Sequence, residues 1–144
     1  MTLEELQEIT EKKLKINDTE LDVEALKTPQ LHNEFLKHYN KFRLLLNRTE
    51  SELAIIKLHK WEYYTGKIDQ ETLDKKGWEP FQHNILKQDI PIFMNSDEDL
   101  CKRKEVITYI KSIVEYLEEV VKEITFRHTK IKNAIEWRRF LSGA

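Results

Sequence analysis

The C-terminal third of the chain repeats apolar residues at alternating steps of three and four, which constrains the fold more than any other feature. The seam consists of Ile107, Ile110, Val114, Leu117, Val121, Ile124, His128, Ile131 and Ile135. Such steps place residues on one face of an α-helix. Val106, Ile113 and Val120 add a third apolar column, so the stripe is wider than a helix pair needs. The pattern predicts a long helix over 97–142.

Homo-oligomerisation through this helix is the expected way to cover so wide a stripe, because the chain offers only one other helix of comparable length. The apolar members of the seam are therefore the predicted oligomerisation residues. His128 is the polar exception, and we expect it to set the helix register rather than to bind a metal. A purely intramolecular hairpin is the alternative.

A second long helix, rich in basic residues, is predicted over 28–65. Thr28 and Pro29 suit its start, because Thr caps a helix and Pro fits the first turn. Gly66 suits its end, where a left-handed residue is common. The seam of this helix consists of Phe35, Tyr39, Phe42, Leu46, Thr49, Leu53, Ile56, Lys60 and Tyr63. Their steps of four and three are typical of a coiled coil, with Thr49 and Lys60 as the polar members.

Residues 1–27 predict short N-terminal helices. Thr2 and Glu5 have the spacing of a capping box, in which each side chain bonds the other residue's backbone amide. Leu3, Leu6 and Ile9 follow with helical spacing. A weaker helix is predicted between Asp18 and Leu26.

The connector over 66–96 shows no sustained periodicity of apolar residues and is predicted to be irregular. It contains a short helix over Asp69–Lys76, ended by Gly77, and a short edge strand over Ile90–Phe93 that pairs with 14–16. The whole chain has only three Gly and three Pro, too few for a β-sandwich or barrel. The predicted fold is a single domain over 1–144, all-α apart from this minor β-pairing.

Charge is segregated along the chain although the formal net charge is only −2. Residues 1–26 and 67–100 carry an excess of acids, whereas 37–60 and 122–144 each hold six Lys or Arg against two Glu. Local charge decides what a surface attracts, because salt screens beyond roughly 8 Å. Basic stretches on long helices favour a polyanionic partner. With a lone Cys101 and no apolar stretch of membrane-spanning or secretory length, we expect a cytoplasmic protein without a membrane partner.

Motifs of enzymes and metal sites fail on inspection. Gly66-Lys67 resembles the end of a phosphate-binding loop, but Trp61 stands where that motif needs Gly and Ile68 where it needs Ser or Thr. The five histidines lack ligand spacing. Asp97 and Asp99 could bind Mg²⁺, yet a helix cap explains them with fewer assumptions. We expect no enzyme, no metal and no cofactor.

The end of the long basic helix interleaves cations with aromatic rings, the combination that single-stranded nucleic acid requires. Lysines neutralise phosphates, and flat rings stack on bases that have lost their neighbours. The predicted DNA-binding residues are Lys57, Lys60, Trp61, Tyr63, Tyr64 and Lys67, with Arg43 and Arg48 earlier on the helix. A core role for the rings, with merely solvated lysines, is the alternative.

Four segments in order along the chain are similar to the UvsY family, the recombination mediators of T4-like phages, particularly the versions from cyanobacterial phages. They are Leu3-Glu4-Glu5-Leu6-Gln7, Trp61-Glu62-Tyr63-Tyr64-Thr65-Gly66-Lys67, Gly77-Trp78-Glu79-Pro80-Phe81 and Ala134-Ile135-Glu136-Trp137-Arg138-Arg139-Phe140. In the family's DNA-binding motif, two basic residues one position apart precede the aromatic run. Lys60 matches the second, whereas Leu58 departs from the first and Lys57 lies one place earlier.

The resemblance implies a non-enzymatic accessory of homologous recombination in the cytoplasm of the infected host cell. Such proteins bind single-stranded DNA, loosen the phage single-strand-binding protein and help the phage recombinase to assemble. They act as ring-like homo-oligomers, hexameric or heptameric, held by the C-terminal helix. Two other interpretations stay open: a coiled-coil scaffold or adaptor that never touches DNA, and a metal nuclease using Asp97 and Asp99.

Overall fold

The computed structural model describes residues 1–81 and 83–143, and helices dominate it. The helices are α1 (Leu3–Lys13), α2 (Leu21–Leu26), α3 (Thr28–Thr65), α4 (Gln70–Lys76), α5 (Ile90–Ser96) and α6 (Glu98–Leu141), with a 3-10 turn over Lys87–Asp89. None of the described residues lies in a β-strand. The all-α prediction is confirmed, including both long helices.

Helix α1 begins as the sequence predicts. The Glu5 amide donates to Thr2 Oγ1 over 3.1 Å, and the Thr2 amide donates to Glu5 Oε2 over 2.8 Å. Acidic residues in the first turn and lysines in the last complement the helix dipole. The apolar face of α1 buries Leu6 completely, so the cap fixes where a core residue enters.

Helix α3 ends where glycine permits it. Gly66 has φ +73°, in the left-handed region, and the amide of Lys67 bonds back to the Glu62 carbonyl over 2.8 Å. Gly77, with φ +69°, ends α4 in the same way. The predicted seam of α3 is confirmed as its inward face, since all nine members are buried or half-buried.

The predicted edge strand over Ile90–Phe93 is wrong, because this segment forms the start of α5. Pro91 lies in the first turn of that helix, where its missing amide costs no hydrogen bond and its fixed φ suits the helix. The preceding 3-10 turn leads directly into it. Residues 14–16, the predicted pairing partner, follow α1 without forming a strand.

The buried stripe of α6 is displaced to one side of the predicted seam. Ile113 and Val120, from the third column, are buried, whereas Val114 and Val121 are only half-buried. Arg127 takes the next buried position in place of His128, which is exposed, with Nδ1 lying 2.9 Å from the Thr125 carbonyl. His128 therefore lies outside the buried stripe of the single chain, and a register-setting role for it in an assembly stays a prediction.

Most of the predicted oligomerisation residues serve the chain's own core. The buried ones are Ile107, Ile110, Leu117, Ile124 and Ile131. Their exposed fractions run from 0 to 7%, so they present almost no surface to a second copy. Ile135, 38% exposed, is the member that remains accessible. The role of the buried members in oligomerisation stays a prediction that this burial does not favour.

The chain divides into two compact units, and each long helix contributes to both. The first unit comprises Met1–Leu44 and Lys111–Ala144, and the second comprises Leu45–Ile110. In the first unit, Arg127 of α6 reaches Glu24 of α2 over 2.6 Å, both side chains being buried, and also donates to the hydroxyl of Thr28 over 3.1 Å. No described helix is long and apolar enough to cross a membrane.

Candidate nucleic-acid interface

Lys60, the basic residue that matches the family motif, lies inside the second unit. It is 7% exposed, and its Nζ lies 3.1 Å from Asp97 Oδ2. The same ammonium group stands 4.1 Å from the centroid of the Trp78 ring, a cation–π distance. Direct contact of Lys60 with phosphate stays a prediction, and this placement tells against it because the charge is already paired and covered.

Asp97 is the centre of the contacts around Lys60. It caps α6 by accepting the Leu100 amide at Oδ1 over 3.0 Å, and it accepts the Tyr64 hydroxyl at Oδ2 over 2.6 Å. Burial alone would raise the pKa of Asp97, but the hydrogen bonds from Tyr64, Leu100 and Lys60 outweigh it and lower the pKa. Burial, followed by the bond to Asp97, raises the pKa of Tyr64. The carboxylate therefore stays ionised and the phenol stays protonated.

Aromatic rings from three segments form a cluster beside this pair. Tyr63 and Tyr64 close α3, Trp78 and Phe81 follow α4, and Phe93 belongs to α5. Phe81 makes an edge contact with Tyr64 at 5.1 Å and another with Phe93 at 5.8 Å, while Tyr63 meets Trp78 at 5.4 Å. The Tyr63 hydroxyl donates to the carbonyl of Glu79. Both tyrosines thus have structural partners, and neither has a ring as open as that of Trp61.

Three of the predicted residues form an accessible group at this end of α3. Lys57 and Lys67 are exposed, and Trp61 is 39% exposed. The Nζ of Lys67 lies 4.7 Å from the centroid of Trp61, and Lys57 precedes Trp61 by one helical turn. We call Lys57, Trp61 and Lys67 the outer triad. It presents two cations and an indole to solvent.

Arg43 and Arg48 are exposed but do not join the outer triad. Arg48 precedes Lys57 by nine residues, a rotation of about 180° around the helix, so the two point to opposite sides. Arg43 belongs to the first unit, where its guanidinium lies 5.9 Å from the Tyr39 ring centroid.

A cleft of about 610 Å³ adjoins the outer triad. Its lining combines the end of α3 with the connector and the start of α5: Trp61, Tyr64, Thr65, Gly66, Lys67, Phe81, His83, Asn84, Ile85, Lys87, Ile90, Pro91 and Met94. The connector residues among them were not among the predicted DNA-binding residues. The resemblance did include Gly77 to Phe81, but no periodicity indicated that Phe81 returns to the end of α3.

Metal ligation finds no support in the described part of the chain, where no group of three or more His, Cys, Asp or Glu is placed to hold an ion. Asp97 is engaged with Lys60, Tyr64 and the Leu100 amide, and Asp99 pairs with Arg103 over 3.2 Å. Both aspartates thus have local structural partners.

Comparisons with known proteins identify the family and the fold of this chain. The sequence profile of the family described as "Recombination, repair and ssDNA binding protein UvsY" matches residues 9–144. Three crystal structures of the bacteriophage T4 recombination mediator protein UvsY share the fold. Two have a TM-score of 0.85 at 22% identity, one covering 99% of this chain and 98% of that chain, the other 97% and 99%. The third has a TM-score of 0.82 at 21% identity, covering 94% and 98%. No curated protein sequence matches the chain. The profile match spans nearly its whole length, so the chain belongs to the UvsY family of recombination, repair and single-stranded DNA binding proteins.

Proposed function

We propose that this protein is a recombination mediator that binds single-stranded DNA through its outer triad. The observation that carries the proposal is the exposed Trp61 ring between Lys57 and Lys67, with the Lys67 ammonium 4.7 Å from the indole. Cations bind the phosphates, and an accessible indole stacks on a base without reading its identity. Lys60 contributes indirectly, because its ion pair with Asp97 holds the end of α3 against the start of α6. The protein works without catalysis, in the cytoplasm of the infected host cell.

Binding by a single copy is expected to be weak and sensitive to salt, because only a few phosphates are contacted. Several copies along one strand convert later contacts into intramolecular ones and raise the avidity. A strand bent along such an assembly is a poorer substrate for the phage single-strand-binding protein. Its release then gives the phage recombinase access to the DNA.

The DNA-binding step is tested by fluorescence anisotropy of labelled oligo-dT at increasing salt. Lys57→Gln and Lys67→Gln are each expected to lower the slope of log affinity against log salt by about 0.7 for every phosphate that the variant no longer neutralises. Lys75→Gln is the matched control, an exposed lysine on α4 outside the triad and the cleft. Equal slopes for all three variants and the wild type would contradict the assignment to the outer triad.

Self-association is proposed to use the face of α6 opposite its buried stripe. Phe126, Trp137 and Phe140 are 60 to 70% exposed and lie within about 60° of one another around the helix. Trp137 and Phe140 stack with centroids 5.6 Å apart. A large exposed apolar patch is typical of a protein interface. This patch takes over the role that the sequence argument gave to the buried seam.

Sedimentation velocity tests this face. Trp137→Glu is expected to reduce the sedimentation coefficient to that of a smaller assembly, because a carboxylate in an apolar interface is costly to desolvate. Lys132→Glu is the control, since Lys132 is exposed on another side of α6. If Trp137→Glu sediments like the wild type, copies of this chain do not associate through that patch.

The exposed patch on α6 also favours the second candidate, a scaffold that assembles without DNA. The salt dependence of oligo-dT binding separates the two, because a scaffold lacks it. The mediator step has its own measurement. Labelled phage single-strand-binding protein on oligo-dT is expected to dissociate at lower salt when this protein is added. If the salt concentration at half-dissociation does not change, the protein binds DNA but does not act as a mediator.

A further inference from the structure

We propose that the cleft beside the outer triad takes an unstacked nucleobase, with Lys67 and Lys87 holding the flanking phosphates. The proposal rests on the single-stranded DNA binding proposed above and specifies where one base goes. The cleft volume of about 610 Å³ falls within the roughly 300–1,000 Å³ of pockets that hold small ligands. A base with its sugar fits such a space.

The charge of the lining selects an anionic ligand. Lys67 and Lys87 contribute to it, while no Asp or Glu occurs among its described lining residues. Apart from these two lysines, residues 67–100 hold eight Asp or Glu against two Lys. The cleft is therefore a cationic depression within an acidic stretch. Phosphates of a strand are attracted to this point and repelled from its surroundings.

The aromatic part of the lining selects a flat ring. Trp61, Tyr64 and Phe81 line the cleft, and the last two are fixed before any ligand arrives. Tyr64 is held by its 2.6 Å hydrogen bond to Asp97, and Phe81 lies 5.1 Å from the Tyr64 ring. Rings that are already ordered lose little entropy on binding. Ile85, Ile90 and Met94 supply apolar contacts, which suit the faces and edges of a pyrimidine.

Asn84 adds a polar group that tolerates different bases. Its side chain is exposed and lines the cleft, and an amide offers both donors and an acceptor to a base edge. A single adaptable amide among rings gives binding with little sequence preference. This matches a protein that must act anywhere on a single strand.

The first test compares oligo-dT with an abasic oligonucleotide of the same length, using the full chain and anisotropy. Both probes carry the same phosphates, so they isolate the contribution of the bases. We expect oligo-dT to bind about 5- to 150-fold more tightly, as base–aromatic stacking implies. Equal, salt-dependent binding would overturn the base pocket while leaving phosphate binding intact. Binding of neither probe would overturn the proposed function and the pocket together.

The second test locates the base. Oligo-dT carrying one 5-iodouracil is photocrosslinked to the protein and digested with trypsin, which cuts after Lys60, Lys67, Lys76 and Lys87. We expect crosslinks in the peptide over 77–87, which carries the connector side of the cleft. Crosslinks confined to peptides that carry no lining residue, such as the peptide over 49–57, would place the base outside the cleft and overturn the proposal.

A pair of isosteric variants adds a binding readout. Asn84→Asp introduces a negative charge at the cleft without changing side-chain size, and it is expected to weaken oligo-dT binding about two- to five-fold at low salt. Asn47→Asp is the control, at an exposed position of α3 outside the cleft. Equal affinity of the two variants would overturn the assignment of phosphates to this cleft.

Discussion

Replacing Lys60 with methionine separates a structural role from a DNA-binding role. Methionine keeps most of the apolar stem and removes only the charge. The structure predicts a large loss of stability, because Lys60 Nζ lies 3.1 Å from Asp97 Oδ2 and both side chains are less than 10% exposed. A lysine that served only to bind phosphate would give a stability change near zero.

The size of the effect follows from the geometry. At 3.1 Å and an effective dielectric constant of about 20, the two charges attract by about 5 kcal/mol. Desolvation of both charges offsets part of this, and removing one partner of a buried pair costs about 3–5 kcal/mol. Asp97 keeps its hydrogen bonds from Tyr64 and the Leu100 amide in the variant, so we expect a cost at the lower end of this range. We expect Lys60→Met to lose about 3 kcal/mol of unfolding free energy.

Urea unfolding followed by far-ultraviolet circular dichroism, at one fixed protein concentration, measures this change. Asp97→Asn and the double variant complete a cycle, since Asn still caps α6 and accepts one hydrogen bond. The double variant is expected to be more stable than the two single losses together predict, by about 2 kcal/mol. A loss below about 1 kcal/mol for Lys60→Met, or additive losses, would refute the buried pair.

The same variant gives a second readout under conditions in which it is folded. Lys60→Met is expected to keep the wild-type salt slope for oligo-dT, because its charge never reached the DNA. Lys57→Gln should lower that slope while leaving unfolding unchanged, since Lys57 is exposed. If Lys60→Met lowers the slope as Lys57→Gln does, the ammonium group leaves Asp97 to meet the strand.

Three further outcomes are expected. Arg127→Met should cost about 3–5 kcal/mol in urea unfolding, because it leaves Glu24 buried without its 2.6 Å partner. Gly77→Ala should cost about 1–2 kcal/mol, because φ is +69° there although an added Cβ would meet no atom within 4 Å. The pKa of Asp97 is lowered from 3.8 in the folded state, so its stabilisation is complete above pH 3.8 and is lost as pH falls through the folded pKa. Acid unfolding of Asp97→Asn should accordingly be less steep than that of the wild type below this pH.

Local signals in the sequence were sufficient for α1, α3, α4 and α6. The Thr2 capping box, Gly66 and Gly77 each specify a backbone conformation through their own side chain or its absence, independently of distant residues. The seam of α3 also predicted the inward face correctly. The segment over Ile90–Phe93 failed because a short apolar run fits a strand or a helix equally well. In the structure the run follows the 3-10 turn over Lys87–Asp89 and begins α5.

Lys60 shows why the site was harder to predict than the fold. Its spacing placed it in the inward seam of α3, while the family motif placed it against DNA. The structure follows the spacing. A lysine in a seam requires a buried partner, and Asp97 lies far along the chain, where its position in a capping run already explained it. The same reason explains why the cleft residues Phe81, His83 and Lys87 were missed. They lie in a connector, where the sequence shows no periodic pattern.

Buried ion pairs fix the register between packed helices in each unit, which the apolar seam alone specifies only weakly. A seam with steps of three and four is nearly unchanged when one helix slides by seven residues, so apolar burial distinguishes the correct register only weakly. Lys60 with Asp97 and Arg127 with Glu24 each join segments that are distant in sequence. A slip would leave Lys60, Asp97 and Arg127 without these partners and Glu24 with only Lys27 at 2.9 Å, at a cost of several kcal/mol. Replacing Arg127 and Glu24 together with Met and Leu is therefore expected to preserve stability while broadening the amide signals of α2 and α6 in NMR spectra. Sharp, single signals in that double variant would show that the apolar contacts alone fix the register.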